Sequence, residues 1–269
     1  MPDPPPLPTF LVVGAMRSGT TSLYRYLQAH PQVHIPRKEI HFFDRRFDRG
    51  LDWYRSRFEG WSGEPAIGEA TPTYMYEPEA VARIAEVLPE VRVVAMLRNP
   101  VDRAYSHYWM EHARGRDPRT FEEAVEAELG GDGSGYLERG RYLPQLERLE
   151  ATFGRARVHV ALLEDLERSP GSTYAETCRF LDVDDHFRPD DLGRRVNRFV
   201  RFRSMRVRAM RRSLPQALGI GRIVGRLNAA SGGYPPVDPA LRVHLVARFA
   251  PERQALAVHL GRELPGWDQ

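Results

Sequence analysis

Residues 10–22 place two glycines, Gly14 and Gly19, on either side of Arg17 and Ser18, with Thr20, Thr21 and Ser22 directly after them. Glycines at this spacing let the backbone turn so that successive N–H groups face one concavity, and a helix starting there adds partial positive charge. The chemistry such a loop serves is phosphate binding. In the triphosphatase form, a lysine follows the second glycine and the next hydroxyl holds magnesium. Here Thr20 occupies the lysine position and the cation has moved inside the loop as Arg17. The expectation is a cradle built from the backbone of residues 18–22, with Arg17, Ser18, Gly19, Thr20, Thr21 and Ser22 as phosphate binders and without the equipment for a triphosphate.

A second candidate binder stands farther along. The apolar run over residues 91–97 ends in Arg98, and ligands of open α/β sheets bind at the carboxyl ends of strands. Ser106 falls about two turns into the helix that follows. Arg103 lies between them and reads as a solvated helix-surface arginine. The one cysteine, Cys178, sits in a helical, half-apolar stretch and reads as a packed thiol. His107 and His112 lack Cys, Asp or Glu companions at ligand spacing, so no metal is expected.

The elements that position these residues can be read from periodicity. Residues 10–13 form a strand, the loop follows, and a helix runs from about residue 20 to 29, which is the order a phosphate loop demands. Strands are expected at 91–97 and 158–163, and helices at 77–88, 100–114, 121–129, 143–153, 170–181 and 239–260, the one at 170 capped by Ser169. Residues 68–74 read as a loop, and no strand is expected after Asp191. Alternating strand and helix predicts an α/β protein. The expected form is a P-loop-containing three-layer fold with a mainly parallel central sheet and a helical C-terminal lid.

With 269 residues, 42% of them hydrophobic, the chain can enclose one full core, and a single domain is expected over residues 10–269. Residues 1–9 carry five prolines between Pro2 and Pro8 and read as a disordered, solvated leader. The start of the chain has neither a charged n-region nor an apolar h-region, and no stretch reaches 18 consecutive apolar residues, so a cytoplasmic location is expected. Net charge is +3, but residues 194–237 hold eleven arginines and no acid, leaving the remainder net acidic. That arginine-rich lid segment is expected to meet anionic partners, with peripheral membrane contact through residues 194–226 and no nucleic acid. Lys38 is the only lysine, against 38 arginines.

Residues 10–33 resemble the 5′-phosphosulfate loop of sulfotransferases that use 3′-phosphoadenosine 5′-phosphosulfate (PAPS), in the branch that includes bacterial and heparan-sulfate enzymes. Lys38-Glu39-Ile40-His41-Phe42-Phe43-Asp44 is similar to that family's K/E-x-x-F-F segment, and residues 93–106 to its 3′-phosphate-binding segment. Gly140-Arg141-Tyr142, Glu164-Asp165-Leu166, Phe180-Leu181-Asp182-Val183 and Gly266-Trp267 follow in family order. The resemblance implies an enzyme that moves the sulfuryl group of PAPS to an acceptor hydroxyl of a saccharide, lipid or secondary metabolite, releasing adenosine 3′,5′-bisphosphate (PAP). It implies Arg98 and Ser106 at the 3′-phosphate, and Arg203 finishing the nucleotide site.

Three residues carry the implied chemistry. Arg17, where relatives often have lysine, neutralises charge on phosphate and sulfuryl oxygens. Glu39 matches the catalytic carboxylate of the heparan-sulfate branch, and it needs partial burial to act as a base. His41 competes for that role because imidazole titrates nearer neutrality. Tyr74 and Tyr76 are expected to line the acceptor cleft, while Tyr105, Tyr108 and Trp109 pack their helix on the sheet. At Ala70 the heparan-sulfate branch has lysine. Two other classes stay open: a P-loop kinase or NTPase, and a non-catalytic protein that docks on anionic surfaces.

Overall fold

The computed structural model describes residues 5–194, 201–202, 229–230 and 235–269. Its elements run β1 (Phe10–Gly14), α1 (Thr20–Gln28), β2 (Val33–His34), α2 (Phe42–Arg45), α3 (Gly50–Arg55), β3 (Ala66–Ala70), α4 (Pro78–Val87) and β4 (Arg92–Leu97). They continue with α5 (Pro100–Ala113), α6 (Phe121–Leu129), α7 (Leu143–Phe153), β5 (Val158–Leu162), α8 (Leu163–Arg168) and α9 (Pro170–Phe180). The last three are β6 (Arg201–Phe202), β7 (Ala229–Ala230) and α10 (Pro239–Leu260).

Side-chain alternation along β1 decides the layering. Leu11 and Val13 point to one face, where they meet Val81 and Ile84 of α4, Leu146 and Leu149 of α7, Phe42 and Phe43 of α2 and Leu256 of α10. Phe10 and Val12 point to the other, among Leu23 and Leu27 of α1 and Tyr174 and Cys178 of α9. The strands between these layers run in the order β2-β3-β1-β4-β5, every pairing parallel, and the central three are buried on both sides. Each large aliphatic side chain so enclosed contributes about 1.5–3 kcal/mol. This is the expected three-layer α/β fold. Cys178 is a packed thiol, fully buried and pushed up to about 11 by that burial.

Strand β3 corrects the expectation of a loop over residues 68–70, while residues 71–74 are loop and turn as expected. The middle residue of β3, Gly68, pairs with Phe10, and a Cβ there would sit 2.0 Å from the Phe10 ring. Its charged residue, Glu69, is fully buried. A required glycine and an enclosed carboxylate hide the apolar run by which buried strands are recognised.

Three further expectations change. Pro8 is buried and Leu7 packs on the core, so the end of the proline-rich leader is not solvated. Helix α9 starts at Pro170 without a side-chain hydrogen bond from Ser169. Beyond Asp191 a short antiparallel pair forms, Arg201 opposite Ala230 and Phe202 opposite Ala229. Residues 195–200 and 203–226, Arg203 among them, lie outside the described residues. Helix α10 packs beside α5 and α7, so the C-terminal element closes the flank of the layers. No helix among the described residues is long and apolar enough to cross a membrane.

Candidate active site

Helix α1 begins at Thr20 with no side-chain cap, and since Ser22 N already donates to the Gly19 carbonyl at 2.9 Å, the Thr20 and Thr21 amides are the first-turn donors that can meet a ligand. Gly19 turns the chain into it at φ 88°, and a Cβ there would lie 2.7 Å from Leu163 Cδ1. Arg17 is also left-handed, at φ 73°. Its Nε donates to Ser106 Oγ at 3.0 Å, and Nη1 lies 3.8 Å from Met110 Sδ. Arg98 Nη1 donates to the Arg17 carbonyl at 3.3 Å. The ends of β1 and β4 thus bring Arg17, Arg98 and Ser106 together beside an uncapped helix terminus, a donor set that fits phosphate.

The turn after β4 is braced from several sides. Asn99 Oδ1 accepts from Val101 N at 2.9 Å and caps α5, while its Nδ2 donates to the Gly266 carbonyl at 3.0 Å. Asn99 N donates to Glu164 Oε1 at 2.8 Å, and burial raises that carboxyl above its usual range. Tyr142 Oη donates to the Arg98 carbonyl at 2.8 Å. Ser18 is wholly buried, its hydroxyl beside that of Tyr142.

The facing wall is the segment that joins β2 to α2. Lys38 bridges Ala70 in parallel, and Glu39 N donates to the Ala70 carbonyl at 2.8 Å. Lys38 Nζ donates to Thr21 Oγ1 at 2.7 Å and to Glu39 Oε1 at 3.1 Å. Glu39 and His41 are left-handed at φ 61° and 56°. His41 Nδ1 lies 2.9 Å from Asp44 Oδ2, and its Nε2 is 3.9 Å from Glu39 Oε2. Burial alone would raise the Asp44 carboxyl, but His41 and a 2.6 Å hydrogen bond from Thr73 Oγ1 hold it below its ordinary value.

Underneath lies Glu69, which accepts from Tyr54 Oη at 2.5 Å, Tyr74 Oη at 2.6 Å and Thr71 Oγ1 at 2.6 Å. Burial raises its carboxyl. Tyr74 Oη in turn accepts from the Phe42 and Phe43 amides at 2.8 and 3.3 Å. The enclosed carboxylate therefore anchors the start of α2. Four non-glycine residues have positive φ among the described residues: Arg17, Glu39, His41 and Asp182. Three of them stand at this site. Each such conformation costs of order 1–3 kcal/mol and persists where surrounding contacts over-determine it.

Residues 7–220 match the sulfotransferase domain family. The chain belongs to that family. It is 30% identical to a sulfotransferase from Alicyclobacillus acidocaldarius of known structure, with a TM-score of 0.76 over 98% of this chain and 100% of that one. Human bifunctional heparan sulfate N-deacetylase/N-sulfotransferase 3 is 28% identical over 97% of this chain and 31% of its own length. Membrane-associated sulfotransferase kil1 of Dictyostelium discoideum is 42% identical over 38% of this chain and 22% of its own. The chain spans less than a third of the length of these two curated relatives.

The remaining residues of the sulfotransferase domain sort as follows. Tyr74 is buried on Glu69 and does not line a cleft, whereas Tyr76 is half-buried with the Arg139 guanidinium 3.9 Å above its ring. Tyr105 and Tyr108 pack on Phe121 of α6, away from the sheet, in a cluster shared with Trp109 and α10. Arg103 is fully buried and donates to the Tyr136 carbonyl, so it is an anchor inside the molecule. Glu39 is half-exposed, short of the burial expected of a base. Burial and the surrounding arginines push His107 down to about 2. One trio of potential metal ligands exists among the described residues, Asp184, Asp185 and His186, beyond α9 and outside this site. Sequence reasoning gave Asp44 no role, although His41-x-x-Asp44 spacing on a short helix was a usable signal. Glu69 offered no signal, because only the fold encloses it.

Proposed function

We propose that this sulfotransferase domain transfers the sulfuryl group of PAPS to a saccharide hydroxyl by in-line displacement. The observation that carries the reading is that the ends of β1 and β4 gather Arg17, Arg98 and Ser106 beside the uncapped start of α1, while Lys38 ties Thr21 of its first turn to Glu39. In this reading, the α1 amides and Thr21 hold the 5′-phosphate, while Arg98 and Ser106 hold the 3′-phosphate. Glu39 takes the proton of the acceptor hydroxyl as its oxygen bonds to sulfur, and the bond from sulfur to the 5′-phosphate oxygen breaks. A saccharide acceptor is supported by the relative named for heparan sulfate. The hydroxyl-bearing, cation-rich donor set supports a reaction without a divalent ion.

A second reading of the base rests on one contact. Asp44 fixes the His41 ring, which leaves Nε2 toward Glu39. Calorimetric titration with PAP in the presence of a chelator tests the nucleotide site; tight binding of PAP and none of ATP is expected. Glu39→Gln should then lower turnover by about 100-fold or more while PAP binding persists. Loss of turnover in His41→Asn alone would pass the role to His41.

A further inference from the structure

Arg17 shortly precedes the start of α1 in the chain, and Lys38 reaches its first turn. The Arg17 guanidinium turns toward α5, where its Nε meets Ser106 and its Nη1 meets Met110. Lys38 Nζ instead touches Thr21 in the first turn of α1 at 2.7 Å and Glu39 at 3.1 Å. The ammonium is therefore the group that joins the phosphate cradle to the candidate base. An ammonium has three hydrogens, and these two contacts leave one for a ligand. The backbone that carries it is pinned by the bridge to Ala70, and the side chain is only 17% exposed.

Resting on the PAPS reading above, we propose that Lys38 is the cation at the bond being broken, and that Arg17 serves the 3′ end with Arg98 and Ser106. Lys38 donates a hydrogen bond to the oxygen that links sulfur to the 5′-phosphate. As the acceptor oxygen bonds to sulfur and its proton passes to Glu39, that linking bond breaks and its electron pair stays on the phosphate oxygen facing Lys38. Nothing is oxidised or reduced. An ammonium suits this place because it is a compact point charge, while a guanidinium spreads its charge over a plane and holds its protons. Burial lowers the Lys38 ammonium below its ordinary range, against the pull of Glu39, which makes its proton easier to share.

A chain with one lysine gives one Nζ signal after ¹⁵N-lysine labelling, so the full chain can be titrated with PAP and read at this atom alone. The signal is expected to shift with the same affinity that calorimetry reports. Lys38→Met should lower PAPS turnover, with water or a saccharide as acceptor, by about 100-fold or more, and PAP affinity by no more than about tenfold. Lys38→Arg should restore affinity and leave most of the rate missing. An unmoved Nζ signal while PAP binds, or a Lys38→Met enzyme within about tenfold of full rate, overturns the assignment. The resonance measurement uses the unaltered chain and does not depend on any variant folding. Absence of PAP binding to the unaltered chain overturns the nucleotide reading itself.

Discussion

Asp44 shows how a single carboxylate can set a reactive neighbour. It is 5% exposed, touches His41 Nδ1 and receives the Thr73 hydroxyl, so it fixes which imidazole nitrogen faces Glu39. Asp44→Asn should reduce turnover by about 100-fold with PAP affinity unchanged, as single-turnover and calorimetric measurements would show. The folded-state pKa of Asp44 is depressed below 3.8, so the stability it contributes is fully present above that value and is lost as pH falls through the lower folded value. The Asn variant should flatten the acid limb of the Tm–pH curve below about pH 4. Arg98 is judged on a different readout. Arg98→Ala should weaken PAP by about 10-fold or more and adenosine 5′-monophosphate far less, since a charge-assisted hydrogen bond to the 3′-phosphate is what it supplies. Equal losses for the two nucleotides would remove Arg98 from the 3′-phosphate.

At the scale of elements, the site is two loops held in costly backbone by what lies beneath them. Gly19 is needed twice, for its φ of 88° and for the 2.7 Å that separates a Cβ there from Leu163. Gly19→Ala should destabilise the fold by about 1–3 kcal/mol in urea melts and weaken PAP, because the α1 amides would shift. An unchanged PAP affinity in a destabilised variant would mean that the cradle is not where the nucleotide sits. The loop, β4 and α5 were legible in the sequence because each follows a local rule: glycine spacing, an unbroken apolar run, and Asn99-Pro100 as a cap. Strand β3 was not legible, since Gly68 answers to Phe10 and Glu69 to Tyr54, Tyr74 and Thr71, contacts that exist only once the sheet is assembled. The same holds for Arg103, whose position between Arg98 and Ser106 on a polar-looking helix gave no hint that Tyr136 would cover it.

For the whole molecule, distant parts of the chain meet behind the nucleotide site. Leu264 and Trp267 are buried in the main core, Trp267 packs 5.8 Å from Tyr142, and Gly266 accepts from Asn99. Truncation after residue 260 should lower Tm by about 10 °C or more, given several kcal/mol for the lost apolar side chains. It should also weaken PAP, because Tyr142 and Asn99 both hold the Arg98 turn. A truncated chain that melts early but binds PAP as well as the full chain would show that the brace is only structural. The distance along the chain has a consequence for synthesis. A ribosome lays down the phosphate loop some 250 positions before the residues that steady its partner turn. A nascent chain can therefore build its sheet while still tethered, yet it should gain full nucleotide affinity only after Trp267 has emerged from the exit tunnel.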